Sequence, residues 1–302
     1  MLRAWVFLLI LFCRIPVHSQ EPIETIPFEL VHNLIFIEVR INDAEKPLNF
    51  LFDTGAGVTV IDSKISEQLS LPIMGNAKIN TSGKSLLSKE STANSLTIGK
   101  KILLDSVNLI LMDLTHISRY LNTTVDGVIG FDLLNTFITE TNIDREEVRF
   151  YDPKTFIYKG DGVPLELTTL ESNLFGIVIN AVPKNRREPI ELNFQIDTGA
   201  DNYLTFHTKT IEEHQLLDTN KKPTFREGFG ADATITNNIR SKVNTVSFGG
   251  EKWKYIPVMF EVDPINKREN SLAEGLIGQR LLLDFNIIYH LDERIVYFEK
   301  RK

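Results

Sequence analysis

The chain has 302 residues, of which 33 are Lys or Arg and 40 are Asp or Glu, so its formal charge is −7. An acidic chain without a basic cluster lacks the cations that a phosphate backbone requires, which excludes nucleic acid as a partner. Hydrophobic residues make up 42% of the chain, enough for the core of one large or two medium domains.

The first predicted element is a secretory signal peptide over residues 1–19. Arg3 precedes an unbroken apolar run over residues 4–13, and residues 17–19 (VHS) carry a cleavage signal. The run is shorter than the ~20 apolar residues of a membrane-spanning helix, although an uncleaved anchor is the alternative. We therefore expect export to the periplasm or the extracellular space after cleavage near Ser19, and no other association with a membrane.

Cysteine and histidine usage excludes several chemistries. The only cysteine, Cys13, lies inside the predicted signal. The mature protein would therefore have no disulfide, no cysteine nucleophile and no thiolate metal site. The six histidines are scattered, and His207 and His214 have no carboxylate at ligand spacing. We predict no metal and no cofactor.

Short runs of β-branched and aromatic residues predict strands along most of the chain. The predicted strands are 34–41 and 48–52, which form a hairpin, followed by 102–112, 174–182, 190–196 and 253–260. Helical patterns are short, at 63–69 and 209–217 and after Gly130 and Gly278. The predicted fold class is all-β with a few short helices.

The chain also repeats itself. Residues 50–57 (FLFDTGAG) recur as 194–201 (FQIDTGAD), 96–99 (LTIG) as 246–249 (VSFG), and 126–130 (DGVIG) as 274–278 (EGLIG). These landmarks keep one order and nearly one offset, which indicates two copies of one fold. We predict an N-terminal lobe over residues 20–160 and a C-terminal lobe over residues 161–302.

Each repeat delivers an aspartate to the end of a strand, and the Thr-Gly that follows turns the chain sharply. A single motif of this kind is often only a turn with a capping side chain. Two of them in equivalent places would bring Asp53 and Asp197 together across a pseudo-twofold axis. Two adjacent carboxyls share one proton, so one can act as base and the other as acid on a water attacking an amide.

The paired DTGA motifs, each followed by an apolar-apolar-Gly segment (VIG and LIG), resemble the aspartic proteases. The Ala after Asp-Thr-Gly is similar to the retroviral type, whereas the duplication within one chain is similar to pepsin. The resemblance implies two pseudo-twofold-related β-barrel lobes with a cleft between them. It also implies an aspartic endopeptidase that acts on peptide or protein substrates.

Carried over to this sequence, the resemblance implies Asp53 and Asp197 as the catalytic dyad. Supporting roles fall to Thr54 and Thr198, which would bond across the lobes, and to Gly55 and Gly199, which would contact the carboxylates. Hairpins covering the cleft would use residues 80–84 and 227–231, with candidate substrate contacts at Gly83, Gly228 and Phe229. Because both aspartates come from one chain, we expect a monomer.

Ala56 and Ala200 stand where pepsin has a serine whose hydroxyl would lower the carboxyl pKa, so we expect an optimum from weakly acidic to neutral pH. Two other functions stay open. A pseudoprotease would keep the fold as a peptide-binding module without turnover. An ATPase similar to actin and the sugar kinases would use the aspartate loops to hold phosphates and a metal.

Overall fold

The structure is a computed structural model that describes residues 21–80, 85–217, 222–230, 233–262 and 271–301. The predicted signal peptide lies outside the described residues, and so does Gly83. Within the described ranges, no helix is long and apolar enough to cross a membrane.

The first half of the chain builds one sheet, three short helices and three strands of a further sheet. Its elements are β1 (Glu24–Pro27), β2 (Glu29–Val31), β3 (Leu34–Ile41), β4 (Leu48–Phe52), β5 (Thr59–Asp62), α1 (Ser63–Gln68), β6 (Gly75–Asn80), β7 (Ser85–Ile98), β8 (Ile102–Met112), α2 (Thr115–Leu121), β9 (Gly127–Ile129), α3 (Phe131–Leu134), β10 (Ile138–Asn142) and β11 (Glu147–Tyr151). The strand order is β2-β3-β4-β9-β5-β8-β7-β6. We call this sheet with its helices the N-terminal lobe.

The second half repeats that arrangement as the C-terminal lobe. Its elements are β12 (Val163–Glu166), β13 (Thr168–Thr169), β14 (Phe175–Pro183), β15 (Ile190–Asp197), β16 (Leu204–Phe206), α4 (Thr208–Glu213), β17 (Phe225–Phe229), β18 (Ile235–Phe248), β19 (Glu251–Lys254), β20 (Pro257–Glu261), β21 (Gly275–Gly278), α5 (Gln279–Leu282), β22 (Phe285–His290) and β23 (Ile295–Lys300). The strand order is β13-β14-β15-β21-β16-β20-β18-β17, with β19 beside β18. Strand for strand, this is the topology of the first sheet.

A third sheet joins the two lobes. Its order is β1-β11-β10-β22-β23-β12, so the central pair, β10 and β22, comes from different halves of the chain. Phe150, Phe285, Tyr289 and Phe298 from this sheet are buried in one hydrophobic core that continues into both lobes. The lobes are therefore tied together by backbone hydrogen bonds and by a shared core.

The predicted fold class is confirmed, and the differences from the predicted elements are local. The strand predicted over 253–260 is wrong as one element: it divides into β19 and β20, because Tyr255 takes a left-handed backbone conformation (φ 57°). The helix predicted over 209–217 runs from Thr208 to Glu213. Helix α2 was not predicted. The predicted division between residues 160 and 161 falls between β11 and β12.

Candidate active site

The two DTGA segments lie at equivalent strand ends. Asp53 directly follows β4, which runs parallel to β9, and the Asp53 amide donates to the carbonyl of Ile129 (2.9 Å). Asp197 is the last residue of β15, which runs parallel to β21 with Asp197 opposite Gly278. Each aspartate is therefore held against the apolar-apolar-Gly segment of its own lobe.

The glycines of those segments let the aspartate loops approach closely. A Cβ on Gly130 would lie 1.9 Å from the Asp53 carbonyl oxygen, and a Cβ on Gly278 would lie 2.8 Å from that of Ala200. Contacts this short exclude any side chain at either position. The VIG and LIG segments thus pack directly behind the aspartate loops.

The two aspartate carboxyls meet between the lobes. The Gly199 amide donates to Oδ1 of Asp197 and to Oδ1 of Asp53, both at 3.1 Å, while the Gly55 amide donates to Oδ1 of Asp53 (2.7 Å). The carboxyls of Asp53 and Asp197 are also in hydrogen-bonding contact with each other. One backbone amide therefore bridges the two side chains that the repeat predicted as a pair.

The two threonines lock the loops together. Thr54 Oγ1 donates to the Ile196 carbonyl (2.8 Å) and accepts from the Thr198 amide (3.1 Å). Thr198 Oγ1 donates to the Phe52 carbonyl (3.0 Å) and accepts from the Thr54 amide (2.9 Å). We call these four bonds the threonine clasp. Both threonines are 1% exposed, so water is not available as a partner for the groups that the bonds join.

Burial raises the pKa of the Asp53 carboxyl above its ordinary value, because its charged form is desolvated there. The amides of Gly55 and Gly199 and the contact with Asp197 favour the ionised form, but they offset only part of that effect. Two carboxyls in contact titrate as one coupled unit. The pair is therefore suited to hold one proton at a pH above the ordinary Asp pKa.

The raised pKa of Asp53 predicts how the stability of the protein depends on pH. The raised pKa of Asp53 means that the folded state binds its proton more tightly than the unfolded chain does. Asp53 makes its full contribution to stability below the ordinary Asp pKa. That contribution is lost as pH rises through the pKa of Asp53 in the folded state. We expect Asp53→Asn to melt at a higher temperature than wild type at neutral pH, with the gap closing towards about pH 3.5. Thermal denaturation across pH measures it, and an equal gap at every pH would contradict it.

The residues that follow the two DTGA motifs, Gly57 and Asp201, are equivalent in position but make different contacts. Asn173 Nδ2 donates to the Gly57 carbonyl, and Asn33 Nδ2 donates to Asp201 Oδ1, both at 3.0 Å and both across the lobes. Asp201 also accepts two bonds from Arg280, at 2.7 and 3.0 Å. Gly57 and Asp201 align with each other when the two repeats are compared, so the sequence already shows this difference between the lobes.

The predicted covering hairpins are only partly in the described residues. Gly83 lies outside them. Gly228 and Phe229 lie in β17, where they pair with Thr236 and Ile235 of β18, so this candidate segment is part of a hairpin. The substrate contacts expected of both residues stay a prediction. A Cβ on Gly228 would come within 2.8 Å of Thr236 Oγ1, so this glycine serves close packing within the hairpin.

The tip of the β17–β18 hairpin contacts the other lobe. Nε2 of His116, on helix α2 of the N-terminal lobe, lies 3.3 Å from the Gly230 carbonyl oxygen. Sequence reasoning missed His116, because neither α2 nor the fold of the distant hairpin has a local signal that connects them. Among the described residues, no group of three or more His, Asp or Glu side chains is arranged to hold a metal ion.

Two comparisons with known proteins found matches to this chain. A family model described as aspartyl protease matches residues 37–133, which include Asp53 and the VIG segment. Among solved structures, the crystal structure of an aspartic proteinase from Irpex lacteus is similar over 92% of this chain and 97% of that chain, with a TM-score of 0.55 and 11% sequence identity. No curated protein sequence matches the chain.

The two matches cover different extents of the chain. The family match covers the first aspartate loop, and the shared fold covers both lobes. The family match also supports a protease-like function. The aspartic proteinase fold differs from that of actin and the sugar kinases, which removes the basis for the ATPase alternative.

Proposed function

We propose that the chain is an aspartic endopeptidase, which hydrolyses peptide bonds of peptide or protein substrates with a water held between Asp53 and Asp197. The observation that carries the proposal is the meeting of these two carboxyls, one from each lobe, at the bridging Gly199 amide. The threonine clasp supports it, because four buried bonds hold the two loops in one arrangement.

The proposed reaction uses the single proton that the pair shares. The ionised carboxylate takes a proton from the water while the water oxygen attacks the amide carbonyl carbon. The protonated carboxyl gives its proton to the carbonyl oxygen, which yields a neutral tetrahedral diol. The protonated carboxyl then gives its proton to the amide nitrogen while the ionised carboxylate takes a proton from a hydroxyl of the diol. Cleavage of the C–N bond releases a carboxylic acid and an amine, and the pair again holds one proton.

The pseudoprotease alternative uses the same cleft and predicts binding without turnover. Every residue that the proposed chemistry needs is present in both motifs: the aspartates, the threonines and the glycines. The raised pKa of Asp53 also favours a protonated carboxyl, which is the proton donor of the proposed reaction. These observations favour turnover.

The test is digestion of unfolded casein at unit steps from about pH 3 to pH 8, with fragments identified by mass spectrometry. We expect cleavage with a maximum between weakly acidic and neutral pH, because burial raises the carboxyl pKa and no serine follows either DTG to lower it. Material purified in parallel from cells without the gene controls for host proteases. A folded protein that cuts nothing in this range would contradict the proposal.

We also propose that the protein is exported and acts as a monomer. Residues 1–19 have the charge and apolar pattern of a signal peptide. One chain supplies both carboxyls, so a second copy is not needed to complete the site.

A further inference from the structure

A pocket of about 480 Å³ lies between the two lobes, beside the contact of helix α2 with the β17–β18 hairpin. We call it the α2 pocket. Its walls come from the start of α1, from β7, from the end of β8, from α2 and from the hairpin residue Ala233. The DTGA segments do not line it, so it is separate from the proposed catalytic carboxyls.

Positive charge predominates in the α2 pocket. Lys64 and Arg119 are exposed cations on its wall, and His116 lies beside them. Asp113 is the one carboxylate among the lining residues of the described chain, and its Oδ1 already accepts from the Thr115 amide (2.9 Å). In a chain with a formal charge of −7, this is a local excess of positive charge.

The C-terminal lobe contributes Ala233 to the α2 pocket. His116 Nε2 lies 3.3 Å from the Gly230 carbonyl oxygen, and the Ala233 amide donates to the same oxygen (3.1 Å) in the tight turn of the hairpin. The β17–β18 hairpin therefore forms one edge of the pocket. A ligand that contacts both the hairpin and α2 would, by linkage, favour their contact.

The lining also favours a side chain over a free inorganic anion. Leu86 and Met112 add apolar surface next to the cations. Such surface suits the methylene groups of a glutamate, whose carboxylate then reaches Lys64 or Arg119. Leu86 and Ser88 of the pocket closely follow the predicted covering residues 80–84, and Ala233 belongs to the hairpin that contains the predicted covering residues 227–231. A polypeptide bound beneath those covers would therefore pass close to the pocket.

We propose that the α2 pocket binds the carboxylate of an acidic residue in the substrate polypeptide, outside the scissile bond, and so favours substrates with an acidic flank. The proposal rests on the proposed function, since it places the substrate in the cleft beside the pocket. Lys64 and Arg119 are its specificity-determining residues.

The test measures binding without turnover. Asp53→Asn protein is titrated by calorimetry with decapeptides that have a Leu-Phe centre and one Glu, or one Gln, moved through the flanking positions. At one position or two neighbouring ones, we expect the Glu peptide to bind about threefold to tenfold more tightly, as one or two exposed ion pairs allow. The preference should vanish when Lys64→Met and Arg119→Met are added.

Two matched variants sharpen the result. Arg40→Met with Lys46→Met removes two exposed cations outside the pocket lining and should keep the preference. Asp113→Asn removes the carboxylate of the pocket and should increase the preference for the Glu peptide. Equal binding of Glu and Gln at every position, or a preference that survives loss of Lys64 and Arg119, would overturn the proposal.

Two further arms separate the remaining outcomes. Sodium acetate at constant ionic strength tests for a free-anion site: saturable binding that needs Lys64 and Arg119, without any peptide preference, would overturn the side-chain assignment. Wild-type turnover of the Gln peptides tests the proposed function by itself. If no peptide is cut and the Glu preference is present, endopeptidase activity fails while the assignment of the pocket stands.

Discussion

Replacement of Asp53 or Asp197 by asparagine should lower kcat by about a thousandfold or more, because each carboxyl must exchange a proton during the reaction and an amide cannot. Asparagine keeps the shape of the side chain and an oxygen that accepts from the Gly55 or Gly199 amide. We therefore expect KM to change far less than kcat. Steady-state kinetics on a peptide found in the casein digest measures both constants.

The control is Asp43→Asn, which makes the same chemical change at an exposed position. It should leave kcat within about a factor of two, because exposed substitutions away from a site have small effects. An Asp53→Asn or Asp197→Asn protein that keeps more than about a tenth of wild-type kcat would rule out that residue as a proton carrier.

Opening the threonine clasp should cost the most stability of any change of comparable size. Thr54→Val and Thr198→Val keep the side-chain shape and remove all four bonds between the loops. Two amides and two carbonyls are then left buried without these partners, at about 1–3 kcal/mol for each orphaned group after relaxation. We expect the double variant to lose about 3–6 kcal/mol of unfolding free energy, with each single variant losing roughly half.

Chemical denaturation at neutral pH measures this loss. Thr25→Val with Thr169→Val is the matched control, since both threonines are exposed, and it should change stability by less than about 0.5 kcal/mol. A loss below about 1 kcal/mol for the clasp variant would show that the loops are held together by other contacts. Activity should fall as well, because the loops carry both aspartates.

The sequence was sufficient to predict the aspartate pair because the evidence lies in a long-range repeat. Thr54 and Thr198 are 144 positions apart and bond to each other, at the same offset as the two DTGA motifs. Apolar runs such as those of β3 and β15 also predicted their strands, since both are buried on the core side. Duplication, not local propensity, made a distant contact visible.

Features without a repeated or periodic signal could not be predicted. His207 has no carboxylate at ligand spacing in the sequence, yet its Nδ1 lies 2.8 Å from Oε2 of Glu261, 54 positions later. The parallel pairing of β16 and β20 brings the two residues close. Helix α2 is too short to show a period, and His116 acquires its contact only when the other lobe folds. Such contacts depend on tertiary structure alone.

The Asp53→Asn/Asp197→Asn double variant shows whether one carboxyl from each lobe forms a single catalytic unit. Its kcat is to be measured beside wild type and both single variants on one peptide at the wild-type optimum. If the carboxyls act as one unit, each single variant already loses nearly all of the kcat that the pair supplies. The double variant is then no slower than either single variant. Losses that multiply in the double variant, or full activity in one single variant, would contradict the shared dyad.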